Sequence, residues 1–281
     1  MTDERTASPL LLCARQELLL AVRSRWTQIF AAVFGALSLA VAASGYILSG
    51  GAGMQDFSRT AVSLVQLILL LTPLTSLVIG VLALSPERGS AELLFSQPVS
   101  RRAVLVGRIL GLFAALAAAQ ALGLGAAGLV VFSRSGQSGL SGYGILFLGA
   151  LVLTAIFLGI AALLASGGVG RRARALALAL IVWFAAVVLF DVAALGAASL
   201  LPSGAASRLL ITAVLVNPID AVRTGALLGI QGTTAFGAAS LAFLRFTKGP
   251  TGAAGLLALS ALAWMVLPVA LAVRRLDRAD L

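Results

Sequence analysis

The sequence predicts an all-α membrane protein with six transmembrane helices and both termini on the cytoplasmic side. Three observations predict it. Of 281 residues, 60% are hydrophobic and 11% charged, less than half the charged share of an ordinary soluble domain. Six apolar runs are each long enough to cross ~30 Å of hydrocarbon at ~1.5 Å per helical residue. The arginines gather in short tracts between those runs instead of spreading over a polar face.

Taken in order, residues 1–9 are polar; with Asp3 and Glu4 near the start and no small-residue cleavage site after a short apolar core, they do not read as a signal peptide. Residues 10–25 predict an amphipathic interfacial helix. Leu11, Ala14, Leu18 and Val22 recur at helical spacing on one side, and Gln16, Glu17, Arg23 and Ser24 fall on the other. An extension of the first span is the competing reading. Spans are predicted at Trp26–Leu48, Ala61–Leu84, Ala103–Phe132, Gly144–Ala165, Arg174–Leu201 and Gly252–Val273.

Orientation comes from the arginines, because basic residues are retained in cytoplasmic loops. With the N-terminus inside, fourteen of the twenty basic residues lie on the cytoplasmic side, from Arg5, Arg15, Arg23 and Arg25 through to Arg274, Arg275 and Arg278. The first two outer loops hold one each, Arg59 and Arg134. The outer segment 202–251 carries Arg208, Arg223, Arg245 and Lys248, and it is long enough for the rule to weaken. Its apolar runs Leu209–Val216 and Phe236–Phe246 are too short to span and read as re-entrant or interfacial. Ala226–Phe246 as a seventh span is the alternative; it would bury Gln231, Thr233 and Thr234 and move the last arginine cluster outside. Glycines inside the spans, such as Gly123, Gly125, Gly128 and Gly149, read as ordinary close helix packing.

Composition removes whole classes of chemistry. There is no His, one Cys (Cys13), and Met only at positions 1, 54 and 265. No catalytic residue and no metal ligand set is assigned: zinc sites, Ser-His-Asp and Cys-His arrangements and thioether ladders all need residues the chain lacks. The net charge of +10 orients membrane spans, and no nucleic-acid face is predicted. The one lysine stands in FTKGP, without the glycine spacing or the Ser/Thr of a phosphate-binding loop.

Three features remain as candidates. Asp191 is an acid inside the fifth span, costly to bury and so a functional candidate by default; the plainer reading is an acid near the outer interface meeting Arg208 or Arg223. Asn217, Pro218, Asp220 and Arg223 form a helix start, with Asn217 as cap, Pro218 in the first turn and Asp220 at the positive end of the dipole. A structural cap accounts for them, and so does an outward-facing helix that presents Asp220 and Arg223 to a partner. The third is Ser85–Arg108, with six of the thirty charged residues. Pro86 and Gly89 break the second span, Glu92, Leu93, Leu94 and Phe95 form a short amphipathic turn, and Pro98 stops it before Ser100, Arg101 and Arg102 restart a helix. Such a turn suits insertion into a groove on a soluble partner.

With ARQELLLAVRSRW at the start, PERGSAELLFSQPVSRRAVLVGR in the loop, and six spans with both ends inside, the chain resembles the permease subunits of ABC-2-type transporters. VWFAAVVLFDV and VLVNPIDAVR are most similar to the NosY-type permeases of the nitrous oxide reductase maturation system. The resemblance implies one transmembrane domain over 1–281 with a coupling loop at 85–103 and a periplasmic segment at 202–251, in a multi-pass protein of the bacterial inner membrane. It implies a homodimer with two cytoplasmic ABC ATPase subunits, which bind the ATP and Mg; this chain holds no cofactor. Glu87, Arg88, Gly89, Glu92, Leu93, Leu94, Phe95 and Pro98 would form the ATPase-coupling helix. Asn217, Pro218, Asp220 and Arg223 would face a periplasmic β-helical copper-handling protein. The implied role is transmission of ATP-driven movement for copper-site assembly; an exporter of a lipid, drug or other small molecule has the same topology, and a proton-coupled carrier using Asp191 is the reading from a different class.

Overall fold

The computed structural model describes residues 8–49, 54–85, 100–135, 140–167, 172–232 and 238–278. Among them six helical stretches are long and apolar enough to cross a membrane: Arg25–Ser44, Thr60–Leu84, Arg101–Ser133, Leu140–Ala165, Arg172–Ser199 and Pro250–Arg278. They are the first to sixth spans below. Each contains nearly all of its predicted run.

The fourth span is the axis of the fold. Leu153, Ile156, Phe157, Leu158 and Ala161 are fully buried, against Leu64 and Leu77 of the second span and Leu112 and Leu116 of the third, in one continuous apolar core. Small residues let the second and fourth spans approach: a Cβ on Gly80 would lie 2.6 Å from that of Ala161. The first and third spans cross backbone to backbone at Gly35 and Gly123. One polar bridge lies inside the core, where Gln120 Nε2 donates to Thr154 Oγ1 at 2.8 Å and Thr154 Oγ1 donates to the Ala150 carbonyl at 2.8 Å. Lipid offers such groups no partner, and this bridge satisfies the Gln120 amide nitrogen and the Thr154 hydroxyl within the bundle. The fifth and sixth spans are only thinly buried and form the rim, exposing Ile181, Leu195, Leu259 and Val266.

The N-terminal helix, Pro9–Arg23, is separate from the first span, broken at Ser24, whose backbone is extended. Its predicted faces require correction. Leu11 and Val22 are exposed, whereas Glu17 is buried. The packed side keeps Ala14 and Leu18 of the expected apolar side and adds Cys13, Ala21 and Glu17, whose cationic partner in the third span hydrophobic periodicity does not register.

Between the fifth and sixth spans lie two helices, Ser203–Val216 and Pro218–Gln231, bent by 100° at Asn217. Pro218 accounts for the bend, since a residue before proline is driven to extended backbone, and Asn217 sits at φ −87°, ψ 119°. The freed carbonyls at the end of the first of these helices are met by the sixth span. Ser260 Oγ donates to Leu215 at 2.6 Å and Trp264 Nε1 to Val216 at 2.9 Å. Ala226–Phe246 is not one helix: Pro218–Gln231 ends at Gly232, whose φ of 63° is left-handed, and a separate helix runs over Ala238–Phe246.

Candidate functional site

Two polar constellations stand apart in the bundle, one where the third span begins and one against the middle of the fifth span. The first gathers around the third span where it begins after the 86–99 segment. Arg108 Nε donates to Glu17 Oε2 at 2.8 Å, and its second guanidinium nitrogen donates to the carbonyl of Ala83. One side chain therefore ties the N-terminal helix, the end of the second span and the start of the third. Glu17 is 8% exposed at its side chain and Arg108 27%, a burial that neither charge tolerates unpaired.

The backbone permits this proximity because Gly107 and Gly111 lie one turn apart on the facing side. A Cβ at Gly107 would lie 2.6 Å from the Leu10 carbonyl oxygen and 2.8 Å from Cys13 Cβ, and one at Gly111 would strike the Ala14 carbonyl. Just before them, Arg102 makes two hydrogen bonds to Asp277 Oδ2, at 3.0 and 2.7 Å, and Arg101 donates to the Leu276 carbonyl at 3.0 Å. Both stems of the 86–99 segment are thus fastened: the second span through Ala83, and the third to the N-terminal helix and the end of the sixth span. The candidate coupling residues Glu87, Arg88, Gly89, Glu92, Leu93, Leu94, Phe95 and Pro98 lie outside the described residues.

The second constellation lies against the fifth span, at Ala186 and Asp191. Arg223 Nη1 lies 2.9 Å from Asp191 Oδ2 and 2.8 Å from Asp220 Oδ1. Asn217 Nδ2 donates to Asp220 Oδ2 at 2.9 Å and to the Ala186 carbonyl of the fifth span at 2.9 Å. Its Oδ1 accepts from the Ile219 amide at 3.1 Å, which is the predicted cap. Every residue singled out here from the sequence, Asp191, Asn217, Pro218, Asp220 and Arg223, lies in this network. Of the two arginines considered for Asp191, the partner is Arg223. One expectation is corrected: Asp220 is 7% exposed, so it does not stand out on a docking helix. Pro218 turns the chain inward, and Asp220 folds back onto Arg223.

Among the described residues no group of three or more His, Cys, Asp and Glu side chains could hold a metal ion. Each arginine faces carboxylates and carbonyls already at hydrogen-bond distance. The arrangement joins helices, and what it can do is pass a displacement from one helix to the next.

Sequence reading missed the Glu17–Arg108 pair, the Arg102–Asp277 pair and the π turn at Ala185–Leu189. A signal existed for the first: Glu17 is the one acid in a helix otherwise rich in leucine, and Gly107 with Gly111 marks a close contact.

The comparisons bear on what such a bundle is for. The family model for "ABC-2 family transporter protein" matches residues 11–281. The chain is 32% identical over 235 residues to the "Probable ABC transporter permease protein NosY" of Pseudomonas aeruginosa, covering 82% of this chain and 85% of that one. It is 32% identical over 235 residues to the protein of the same name from Stutzerimonas stutzeri, covering 81% and 85%. The six membrane-crossing helices, the helix-joining polar networks and the family match over almost the whole length agree: the chain belongs to the ABC-2 family of transporter proteins, as a multi-pass, non-catalytic permease component.

Proposed function

We propose that this permease converts ATP binding and hydrolysis on a cytoplasmic ATPase into movement of its spans, and that the movement serves copper-site maturation of nitrous oxide reductase. The observation that carries the first part is the fastening of both stems of the 86–99 segment. A push on that segment reaches the second span, the third span, the N-terminal helix and the end of the sixth through Arg108, Arg101 and Arg102. The segment takes the push through Glu87, Arg88, Gly89, Glu92, Leu93, Leu94, Phe95 and Pro98, with Glu92–Phe95 seated in a groove of the ATPase.

The arginine distribution supports the orientation, with this end in the cytoplasm and the network around Arg223 on the periplasmic side. On that reading the bent pair 203–231 is re-entrant from the periplasm, and the N-terminal helix lies along the cytoplasmic interface. A homodimer of this chain presents both copies to two ATPase subunits, and a periplasmic copper-handling protein sits over the 202–251 segment. Support for the maturation role comes from the two NosY relatives. Poverty in soft ligands, with no His and three Met, fits a chain that moves a partner and does not carry copper itself.

The test is to isolate the chain from membranes with its partners, and to measure copper in nitrous oxide reductase from cells lacking it. Co-isolation of an ATPase and a periplasmic protein, with a copper-deficient reductase, is the expected result. An ATPase alone, with a fully loaded reductase, points to an exporter instead.

A further inference from the structure

One turn of the fifth span is wider than the rest. Ala185–Leu189 is a π turn, closed by the Phe190 amide donating to the Ala185 carbonyl five residues back. A π turn holds one residue more than an α turn, so the side chains beyond it are displaced by about 100° around the helix axis from where an unbroken α-helix would place them. Asp191 is the second residue beyond, and in this register it reaches Arg223 at 2.9 Å.

The local sequence gives no cause for the widening. AAVVL has no Pro, Gly or Ser, which are the usual internal reasons for a disturbed helix. The cause lies across the interface. Asn217 Nδ2 donates to the Ala186 carbonyl inside the turn, while its Oδ1 is held by the Ile219 amide and the same nitrogen also meets Asp220. Asn217 is 3% exposed and fixed from three directions, so it presents its donor to the turn from a rigid mount.

We propose that Ala185–Leu189 is a register switch in the fifth span, latched by Asn217. With the latch made, the extra residue stays in the π turn and Asp191 faces Arg223. With the latch broken, the turn anneals to α-helix and Asp191–Ser199 rotates, taking Asp191 off Arg223 and releasing the fifth span from the bent pair. The switch deepens the proposed function by naming one place where the movement of the spans is expressed, and it rests on that reading.

The test uses the full-length chain in membranes, with Cys13→Ser as background and Ala198→Cys as reporter, labelled by a membrane-impermeant maleimide. Ala198 is buried in this register, so the parent labels slowly. Asn217→Ala is expected to label several-fold faster, as is Asn217→Ser, which keeps a capping oxygen and covers the case in which the alanine variant does not accumulate. Deleting Val188, an exposed member of the π turn, removes the extra residue and leaves a continuous α-helix in the latched register. That deletion is expected to label slowly, and to restore slow labelling when combined with either Asn217 variant. Unchanged labelling in the Asn217 variants, or fast labelling that the deletion does not reverse, overturns the switch and leaves Asn217 a helix cap. No ATPase enters the measurement, so its outcome is separate from that of the coupling function.

Discussion

Arg108 fastens three helices with one side chain. It neutralises a buried acid and donates to the Ala83 carbonyl near the end of the second span. Removing it leaves Glu17 buried and uncompensated, so Arg108→Ala is expected to cost about 3 kcal/mol. The Glu17→Leu, Arg108→Leu double variant recovers most of that loss, because it removes both charges together. Thermal unfolding in detergent of the single and double variants checks it; a double variant whose loss equals the sum of the two single losses would show that the pair is not coupled. Asn217 is the counterpart in the other network: Asn217→Ala forfeits a cap and two donated bonds, for an expected loss of about 2 kcal/mol. At this scale the sequence was half legible. Asn217-Pro218 announces its own cap and bend through local backbone physics, whereas the partner of Glu17 lies 91 positions away and nothing local points to it.

At the scale of elements, the N-terminal helix is an arm clipped to the third span by two glycines. Gly111→Leu is expected to push it away, since its Cβ would run into the Ala14 carbonyl, while Gly125→Leu, with open space at that position, leaves it in place. Protease accessibility of the first 25 residues in membrane vesicles distinguishes the two, and equal cleavage would contradict the clip. The helix itself was readable from its leucine spacing. Its buried face was legible only in part: Ala14 and Leu18 of the apolar side pack inward, and an ion pair brings Glu17 in beside them. The spans were the easiest elements to read, since ~20 apolar residues in a row have few other uses. The π turn was the hardest: AAVVL is plain helical sequence, and the widening is imposed from Asn217.

For the whole molecule, the fold joins a tightly packed centre to two polar networks. The second, third and fourth spans form the core, and the fifth and sixth lie on its rim with little buried surface. Rim helices tied to the centre by a few polar contacts can shift without repacking the core, which suits a permease whose movement is driven from one end. Membership in the ABC-2 family follows from the match over 11–281. The proposed coupling role of the 86–99 segment rests on its stems, the second and third spans, being fastened to the N-terminal helix and the sixth span. The most direct measurement is the ATP turnover of the co-isolated ATPase with the intact permease and with Glu92–Phe95 deleted. The account predicts that the deletion abolishes permease-dependent stimulation while the six-span bundle still assembles; turnover and ATPase association unchanged by the deletion would contradict it.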